Sequence, residues 1–272
     1  MNRKKLAQDT VDICNAGNYA VSGAIVDIQS QLEHMTVGTQ FFTSEQLTTL
    51  DTTQTVKTEY DTLFEVTAES SIAAIHRLAQ EEERVLCLNF ASAKNPGGGF
   101  LNGAIAQEES LAMSSALYHS QLLVPEFYQL HRNMTSCIYT DSIIYSPAVP
   151  VFRNDHGSLI PYSSCDFITS AAVNAGVVTE REPQSVGDIE ELMKKRMDKL
   201  LALCYHKGQD TLLLGAWGCG VFRNDPVMIA RLFLQLLTGK YKNVFKRVVF
   251  AVYSRNPRFI APFEAAFGSI NK

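Results

Sequence analysis

Two adjacent glutamates follow a glycine-rich stretch in the first half of the chain. Gly97, Gly98 and Gly99 are consecutive, and Gln107-Glu108-Glu109 comes after seven intervening residues. Consecutive glycines let the backbone approach a ligand with no Cβ in the way, and the N–H groups of such a loop beside a helix start suit a phosphate. The helix dipole favours the ionised form of acids in a first helical turn. The combination indicates chemistry on a group that is attached to a phosphate.

Other glycine signatures do not fit this stretch. It has no Gly-Lys-Ser/Thr, which excludes a P-loop, and no G-x-G-x-x-G of a dinucleotide site. Taken alone, a glycine loop is also compatible with a structural turn. Glu108 and Glu109 alone are equally compatible with surface charges that complement a helix dipole.

A second glycine-rich turn spans residues 215–225 and has the sequence Gly-Ala-Trp-Gly-Cys-Gly-Val-Phe-Arg-Asn-Asp. The apolar run 212–214 precedes it, and Pro226 suits the first position of a following helix. In an open α/β sheet, ligands lie at the carboxyl ends of such strands, so the two turns together suit a diphosphate held from both flanks. Alone, this turn is also compatible with a structural role. No histidine is near Cys219 in sequence to activate it, which favours a small loop residue over a nucleophile.

Composition is typical of a soluble globular protein with one large domain or one domain and an extension. The 272 residues are 46% hydrophobic and 19% charged, and no apolar run approaches the roughly 20 residues of a membrane helix. The basic N-terminus is not followed by an apolar signal core, so we expect a cytoplasmic protein, or a nuclear one if the source is eukaryotic. A net charge of −4 without an obvious basic patch argues against a strong nucleic-acid partner. We expect a monomer that does not bind membranes.

Six cysteines and six histidines are scattered along the chain, without a C-x-x-C pair or a ligand-like cluster. This distribution is typical of reduced, mostly buried thiols. We therefore expect no metal site and no cofactor.

Hydrophobic periodicity predicts an alternation of helices and strands, which is typical of an α/β sheet protein. Helices are predicted over 3–15, from Ser44, over 70–80, from about Ala106 onward, over 189–207, from Pro226 and over 259–267. Strands are predicted over 63–66, 85–88, 136–145, 212–214 and 247–254, with a hairpin or strand pair over 19–28.

Three segments are predicted to lack regular structure. Residues 36–58 are rich in Thr and Gln and indicate a mainly irregular connection apart from the short helix at Ser44. Pro147 and Pro150 predict a stiff extended loop over 146–153, because proline disfavours both helices and central strands. Residues 178–188 predict a surface loop. On the helix over 189–207, the charged face (Lys194, Lys195, Arg196, Asp198 and Lys199) is expected to be solvated.

The triple glycine and Gln107-Glu108-Glu109 together resemble the signature of bacterial-type poly(ADP-ribose) glycohydrolases, which are catalytic macrodomains. Segments 146–152, 168–176 and 215–225 are also similar to that family, and helix 3–15 resembles its N-terminal extension. The resemblance runs over residues 3–267. It implies a three-layer α/β/α macrodomain with a mixed central sheet, in which residues 1–57 form an N-terminal helical extension packed on a catalytic macrodomain of residues 58–272.

The resemblance also implies hydrolysis of ribose–ribose O-glycosidic bonds in poly(ADP-ribose), which releases ADP-ribose. Glu109 would be the general acid and base, and Glu108 would hold ribose hydroxyls or orient the sugar. An acid that is protonated at working pH needs a raised pKa; burial and Glu108 would raise it, whereas the helix N-terminus would lower it. No metal would be required, since a carboxylic acid can protonate a sugar leaving group.

The same resemblance assigns the substrate-binding residues. Phe222 would pack against the ribose, and Asn95 and Gln107 would hydrogen-bond the ribose and its flanking loop. The residues implied to carry the diphosphate are Gly97, Gly98, Gly99, Gly218, Cys219, Gly220 and Val221.

Three other functions stay open at this point. A hydrolase of mono-ADP-ribose linkages on protein or nucleobase would meet the same terminal ADP-ribose, so the motif does not separate it from a polymer hydrolase. A non-catalytic ADP-ribose-binding macrodomain is disfavoured, because binding alone does not need two acids at the loop. The third is a phosphatase of a small phosphorylated sugar.

Overall fold

The computed structural model of the chain describes residues 2–50, 59–82 and 84–270. Its α-helices are α1 (Arg3–Ala16), α2 (Gln29–Gly38), α3 (Ser44–Thr49), α4 (Ser71–Glu81), α5 (Gln107–Ser114), α6 (Leu117–Leu122), α7 (Pro125–Arg132), α8 (Ala175–Arg181), α9 (Ile189–His206), α10 (Pro226–Thr238) and α11 (Ala261–Phe267). Its strands are β1 (Asn18–Val21), β2 (Ala24–Asp27), β3 (Gln40–Phe42), β4 (Leu63–Thr67), β5 (Leu86–Phe90), β6 (Ile143–Arg153), β7 (Leu159–Ser170), β8 (Thr211–Leu214) and β9 (Arg247–Ala251). Phe100–Asn102 and Pro183–Asp188 form 3₁₀ helices.

The chain divides into two compact units. The first unit contains Met1–Phe41, Ser71–Asn133 and Ile144–Ser170, and the second contains Phe42–Ser70, Met134–Ile143 and Ala171–Lys272. Each unit takes several separate stretches of the sequence, and each contains one of the two glycine-rich turns.

The first unit contains a mixed strand arrangement that ends at the first glycine turn. β5 runs parallel to β7, with Leu88 opposite Ile168, and β6 runs antiparallel to β7. The side chains of residues 86–89 on β5 are buried, which accounts for the apolar run. β5 therefore delivers its carboxyl end to the segment that leads to Gly97.

Helix α1 supports the glycine turn and α5 from one side within this unit. Asn2 caps α1 by accepting the Lys5 N–H at 3.2 Å, and Gly17 ends it in the left-handed region at φ 69°. Ala7 packs into a buried cluster with Phe100, Ala112 and Met113. The N-terminal helix therefore packs directly on the elements that carry the candidate site.

The second unit contains three parallel strands, β8 beside β9 and β9 beside β4. Phe250 on β9 stacks on Phe267 at 4.4 Å between ring centroids and also contacts Phe233 and Phe263. β8 ends at Leu214 and leads into the second glycine turn. The Asp225 side chain then caps α10 by accepting the Val227 N–H at 3.1 Å.

The structure confirms the α/β class with mixed strand pairing and the N-terminal helix. The predicted helices over 3–15, 70–80 and 189–207, the hairpin over 19–28, and the helix starts at Ser44 and Pro226 are present, with ends that differ by one or two residues. The strands over 63–66, 85–88, 212–214 and 247–254 are also present, and α11 lies within the helix predicted over 259–267.

The prediction of an extended loop over 146–153 is wrong, because these residues belong to β6. The pairing of β6 with β7 shifts register between Ser146 and Val149, so Pro147 lies in a bulge, where a missing N–H costs little. The Asp166 carboxylate accepts the Ala148 N–H at 2.7 Å, and the Pro150 carbonyl accepts the Ala116 N–H at 3.1 Å. The bulge therefore explains how the strand contains Pro147, whereas Pro150 lies beyond the bulge, opposite Ser164.

The helical periodicity after Ala106 predicts one helix through Leu122, but the structure contains two. Ser115 adopts extended dihedral angles (φ −150°, ψ 176°) and forms an isolated bridge with Val151. Its hydroxyl accepts the Leu117 N–H at 3.2 Å, so it supports the start of α6. The interruption is a tertiary contact that periodicity does not reveal.

Other differences lie in polar segments. Residues 36–42 contain the end of α2 and all of β3, residues 136–142 precede β6 rather than belonging to it, and residues 178–181 complete α8. Arg196 is 1% exposed rather than solvated. Its guanidinium donates to the carbonyls of Ala171 (2.8 Å), Ile138 (3.1 Å) and Tyr139 (3.3 Å), which orders the segment before β6.

Residues 51–58, which complete the predicted irregular connection, lie outside the described residues. The boundary predicted between residues 57 and 58 falls in the same stretch, and the division into extension and macrodomain stays a prediction. None of the helices in the described part of the chain has both the length and the apolar character of a membrane span.

Candidate active site

Gln107 fixes the first turn of α5 to the end of β5. Its Oε1 accepts the Phe90 N–H at 2.8 Å, and its Nε2 donates to the Leu88 carbonyl at 2.8 Å and to the Ser71 hydroxyl at 3.2 Å. Both amide hydrogens are thus used within the protein. In this structure Gln107 orients the helix that carries the two glutamates, and its predicted contact with a ribose stays a prediction.

Glu108 points into the protein. Its side chain is 2% exposed, and its Oε1 accepts from Asn89 Nδ2 and Gln121 Nε2, both at 3.0 Å. Its Oε2 accepts the Ser92 N–H at 2.6 Å. The carboxyl group is therefore fixed from β5, from the segment after β5 and from α6.

Burial raises the pKa of Glu108 to about 8, and the neighbouring charge of Glu109 acts in the same direction. The hydrogen bonds from Ser92, Asn89 and Gln121 oppose this rise, because they stabilise the carboxylate. Desolvation is the larger effect, so the pKa of Glu108 lies well above the ordinary value of a glutamate.

The glycine turn closes on itself. Gly97 and Gly98 adopt left-handed dihedral angles, with φ of 63° and 59°. The Gly97 N–H donates to Gln121 Oε1 at 2.7 Å, and the Gly98 N–H to the Asn95 carbonyl at 3.0 Å. The turn therefore requires glycine for its backbone conformation and is anchored to α6.

Glu109 lies against this turn, half-buried. Its Oε1 accepts the Gly99 N–H at 2.9 Å, whereas no described residue hydrogen-bonds its Oε2. A Cβ on Gly98 would overlap Glu109 Oε1 and lie 3.0 Å from its Cδ. The absence of a side chain at Gly98 therefore makes room for this carboxylate, which has one oxygen held and one available.

The N–H groups of Gly97, Gly98 and Gly99 are each hydrogen-bonded within the first unit. The contact of these residues with a diphosphate stays a prediction. In the structure, the same residues fix the position of Glu109. Asn95 is exposed at the entrance of the turn, and its N–H donates to the Ser92 hydroxyl at 3.2 Å.

The second turn has unused backbone donors. Among the described residues, the N–H groups of Gly220, Val221 and Phe222 have no hydrogen-bond partner. A Cβ on Gly220 would meet no atom within 4 Å, and the Val221 side chain is 76% exposed. Consecutive unpaired N–H groups beside open space are typical of a loop that binds an anion.

Contacts within the second unit hold this turn in shape. Gly218 has a φ of 73°, and a Cβ there would lie 2.6 Å from Ala172 Cβ and from Asn224 Nδ2. The Asn224 amide donates to the Val173 carbonyl at 2.8 Å, and the Phe222 carbonyl accepts the Gly176 N–H at 3.0 Å. The donors of the turn are therefore fixed before any ligand arrives.

The sequence predicts roles for two side chains of this turn, Cys219 and Phe222. Cys219 is 1% exposed and donates its N–H to the Ala216 carbonyl at 3.1 Å. Burial raises the pKa of its thiol to about 12, and Asp225 adds to the rise, so the thiol is not a nucleophile near neutral pH. Phe222 is half-buried, with its ring 6.2 Å from that of Tyr139.

The structure thus brings Gly97–Gly99 and Gln107–Glu109 together in the first unit, and it orders Gly218–Phe222 in the second. The sequence does not predict the roles of Asn89, Ser92 and Gln121, which hydrogen-bond Glu108, or of Thr169, which accepts from Asn89 and Gln121. A polar residue at the end of an otherwise apolar strand, as at Asn89, was the one available signal. No group of three or more His, Cys, Asp or Glu side chains in the described ranges could hold a metal ion.

Comparison with known proteins relates the whole chain to one family. The family model "Microbial-type PARG, catalytic domain" matches residues 7–154. Poly(ADP-ribose) glycohydrolase (PARG) from Thermomonospora curvata is 42% identical, with 98% of each chain covered and a TM-score of 0.91, and its complex with the inhibitor ADP-HPD gives a TM-score of 0.89.

The PARG of Deinococcus radiodurans in complex with ADP-ribose is 40% identical, covering 90% of this chain and 100% of that one, with a TM-score of 0.85. No curated protein matches the chain. These similarities extend over both units and confirm the macrodomain-like fold. The chain belongs to the microbial-type poly(ADP-ribose) glycohydrolase family.

Proposed function

We propose that this protein hydrolyses the ribose–ribose O-glycosidic bonds of poly(ADP-ribose) and releases ADP-ribose, with Glu109 as general acid and base. The observation that carries this proposal is the state of the Glu109 carboxylate. One oxygen is held by the Gly99 N–H at 2.9 Å, and the other has no partner among the described residues. A carboxyl group with one oxygen held by the protein and the other oxygen without a partner is suited to exchange a proton with a substrate.

The chemistry requires two proton transfers, one from Glu109 and one back to it. Glu109 donates a proton to the leaving ribose oxygen as the glycosidic bond breaks and the anomeric carbon acquires oxocarbenium character. A water molecule then attacks that carbon and returns a proton to Glu109. The catalytic group is thereby restored, and the products are ADP-ribose and a polymer shortened by one unit.

Glu108 supports this step without replacing Glu109. Its carboxyl group is buried and held by Asn89, Ser92 and Gln121, and burial raises its pKa to about 8. These contacts fix Glu108 in the first turn of α5, directly before Glu109. We assign Glu108 to orienting the sugar.

The turn of the second unit is assigned to the diphosphate. The unpaired N–H groups of Gly220, Val221 and Phe222 supply donors, and Gly218 keeps the turn in its left-handed conformation. Cys219 contributes as a small loop residue, and the Phe222 ring is assigned to packing against the ribose. Within the first unit, Asn95 and Gln107 are assigned to the ribose and its flanking loop, and the contact of Gly97, Gly98 and Gly99 with a diphosphate stays a prediction.

Relatives support ADP-ribose as the ligand. Solved structures of the Deinococcus and Thermomonospora enzymes contain ADP-ribose and ADP-HPD, respectively. The proposal requires no partner chain, and we expect a cytoplasmic monomer, which size-exclusion chromatography with light scattering tests.

A substrate panel tests the proposed activity. Purified protein is assayed in parallel on poly(ADP-ribose), on mono-ADP-ribosylated protein and on ADP-ribose-1″-phosphate, and released ADP-ribose is quantified. We expect release from the polymer at the highest kcat/KM. Release from mono-ADP-ribosylated protein alone, or from the sugar phosphate alone, would refute polymer hydrolysis.

A further inference from the structure

We propose that Gln121 is a positioning residue for hydrolysis, because it connects the glycine turn to the buried glutamate. This inference rests on the proposed function of Glu109 and Glu108. Gln121 lies on α6, outside the glycine and Gln-Glu-Glu motifs, and its side chain is completely buried.

The side-chain amide of Gln121 contacts two parts of the site at once. Its Oε1 accepts the Gly97 N–H at 2.7 Å, and its Nε2 donates to Glu108 Oε1 at 3.0 Å. The second hydrogen of Nε2 points to Thr169 Oγ1 at 3.4 Å. A single group therefore fixes the first residue of the turn and the carboxyl group of the buried acid.

The chemistry of this position requires an amide. The Gly97 N–H can only donate, and Glu108 Oε1 accepts an N–H from Gln121 as well as one from Asn89, so the bridging group accepts on one side and donates on the other. A hydrocarbon side chain would leave the Gly97 N–H buried without a partner. A glutamate would replace the donor with an oxygen that faces Glu108 Oε1.

The consequence reaches Glu109 through the turn. Gly97 is followed by Gly98, whose missing Cβ leaves room for Glu109, and by Gly99, whose N–H holds Glu109 Oε1. Releasing Gly97 therefore loosens the contact between the Gly99 N–H and the proposed general acid. A displacement of about 1 Å of a catalytic group can cost about 100-fold in rate.

Ser120, the preceding residue on α6, provides a matched control. It is also completely buried, and its hydroxyl contacts the Leu117 carbonyl at 3.0 Å and the Ser146 hydroxyl at 2.7 Å. None of these partners belongs to the glycine turn or to α5. Ser120→Ala therefore removes buried hydrogen bonds from the same helix without changing either contact of Gln121.

The experiment compares Gln121→Met, Gln121→Glu and Ser120→Ala on poly(ADP-ribose), with melting temperature and ADP-ribose affinity measured for each variant. For Gln121→Met we expect kcat to fall about 100-fold while KM changes less than about twofold. Gln121→Glu keeps the acceptor for Gly97 but loses the donor to Glu108, and we expect at least about a tenfold fall in kcat. Ser120→Ala should keep kcat within about twofold of the unsubstituted protein.

Each outcome decides between a positioning role and a structural one. A kcat for Gln121→Met within about twofold of that of Ser120→Ala would overturn the inference, and so would a raised KM with unchanged kcat. If Gln121→Met does not fold, Gln121→Glu decides by the same criteria. If the unsubstituted protein releases nothing from the polymer, the proposed function itself is refuted. If the unsubstituted protein and Gln121→Met are both active, only the inference about Gln121 is refuted.

Discussion

Gly98→Ala should impair hydrolysis more than stability. The backbone at Gly98 has a φ of 59°, and its Cβ would overlap Glu109 Oε1 and lie 3.0 Å from Glu109 Cδ and 3.2 Å from Glu108 Oε2. The substitution therefore adds two effects. One is strain in the left-handed region, and the other is displacement of the proposed general acid.

The size of each effect follows from this geometry. A left-handed alanine costs about 1–2 kcal/mol. Carbon atoms settle at about 3.5–4.0 Å, so the Glu109 carboxyl group must retreat by about 0.5–1 Å, which also breaks its contact with the Gly99 N–H. A displacement of that size lowers kcat by up to about 100-fold.

Gly23→Ala isolates the strain from the displacement. Gly23 has a φ of 85°, but a Cβ there would meet no atom within 4 Å. Both variants are assayed for release of ADP-ribose from polymer, for unfolding in urea and for ADP-ribose binding by calorimetry. We expect both to lose about 1–2 kcal/mol of stability and only Gly98→Ala to lose kcat.

Two results would refute this reasoning. If Gly98→Ala retained the kcat of Gly23→Ala, the turn would not position Glu109. If Gly98→Ala lost ADP-ribose affinity but kept kcat at saturation, the turn would serve binding and not the placement of the acid.

Three further predictions concern other parts of the protein. Burial raises the pKa of Glu108 from 4.5 to about 8, so between these pH values the folded protein binds one more proton than the unfolded protein. The free energy of unfolding should therefore fall as pH rises from 5 to 8. Glu108→Gln should lack this loss, and urea unfolding at both pH values measures it. Thr10→Val removes the 2.6 Å hydrogen bond to the Met113 carbonyl and should lower the free energy of unfolding in urea by about 1–3 kcal/mol. An unchanged unfolding midpoint would show that this contact of α1 does not stabilise α5. Arg196→Met removes a buried guanidinium that pairs with Asp141 at 3.4 Å and donates to three carbonyls, and it should cost about 3 kcal/mol; a smaller loss than that of Thr10→Val would contradict this.

Local signals in the sequence located most of the elements. Pro226 after the polar residues 223–225 marked the start of α10, and residues 71–81 have the strong apolar periodicity of one helix face. The candidate acids were also accessible from sequence, because glycine spacing and the Gln-Glu-Glu triplet are both local patterns. These local patterns place Glu108 and Glu109 after a glycine turn.

The features that the sequence does not predict depend on tertiary contacts. Pro147 can lie in β6 because a bulge accommodates it, and the Asp166 carboxylate accepts the N–H of the next residue, Ala148. Arg196 is buried because Asp141 and three carbonyls from two separate segments converge on its guanidinium. The different environments of the two glutamates also depend on tertiary contacts: Glu108 is enclosed by β5 and α6, whereas Glu109 lies against Gly98.

The decisive experiment on Glu109 measures hydrolysis of poly(ADP-ribose) by Glu109→Gln and its ADP-ribose affinity on the same preparation. We expect kcat to fall by about 10²–10⁴-fold, the usual contribution of a general acid and base, while ADP-ribose still binds. Release of ADP-ribose from the polymer at the rate of the unsubstituted protein would contradict it.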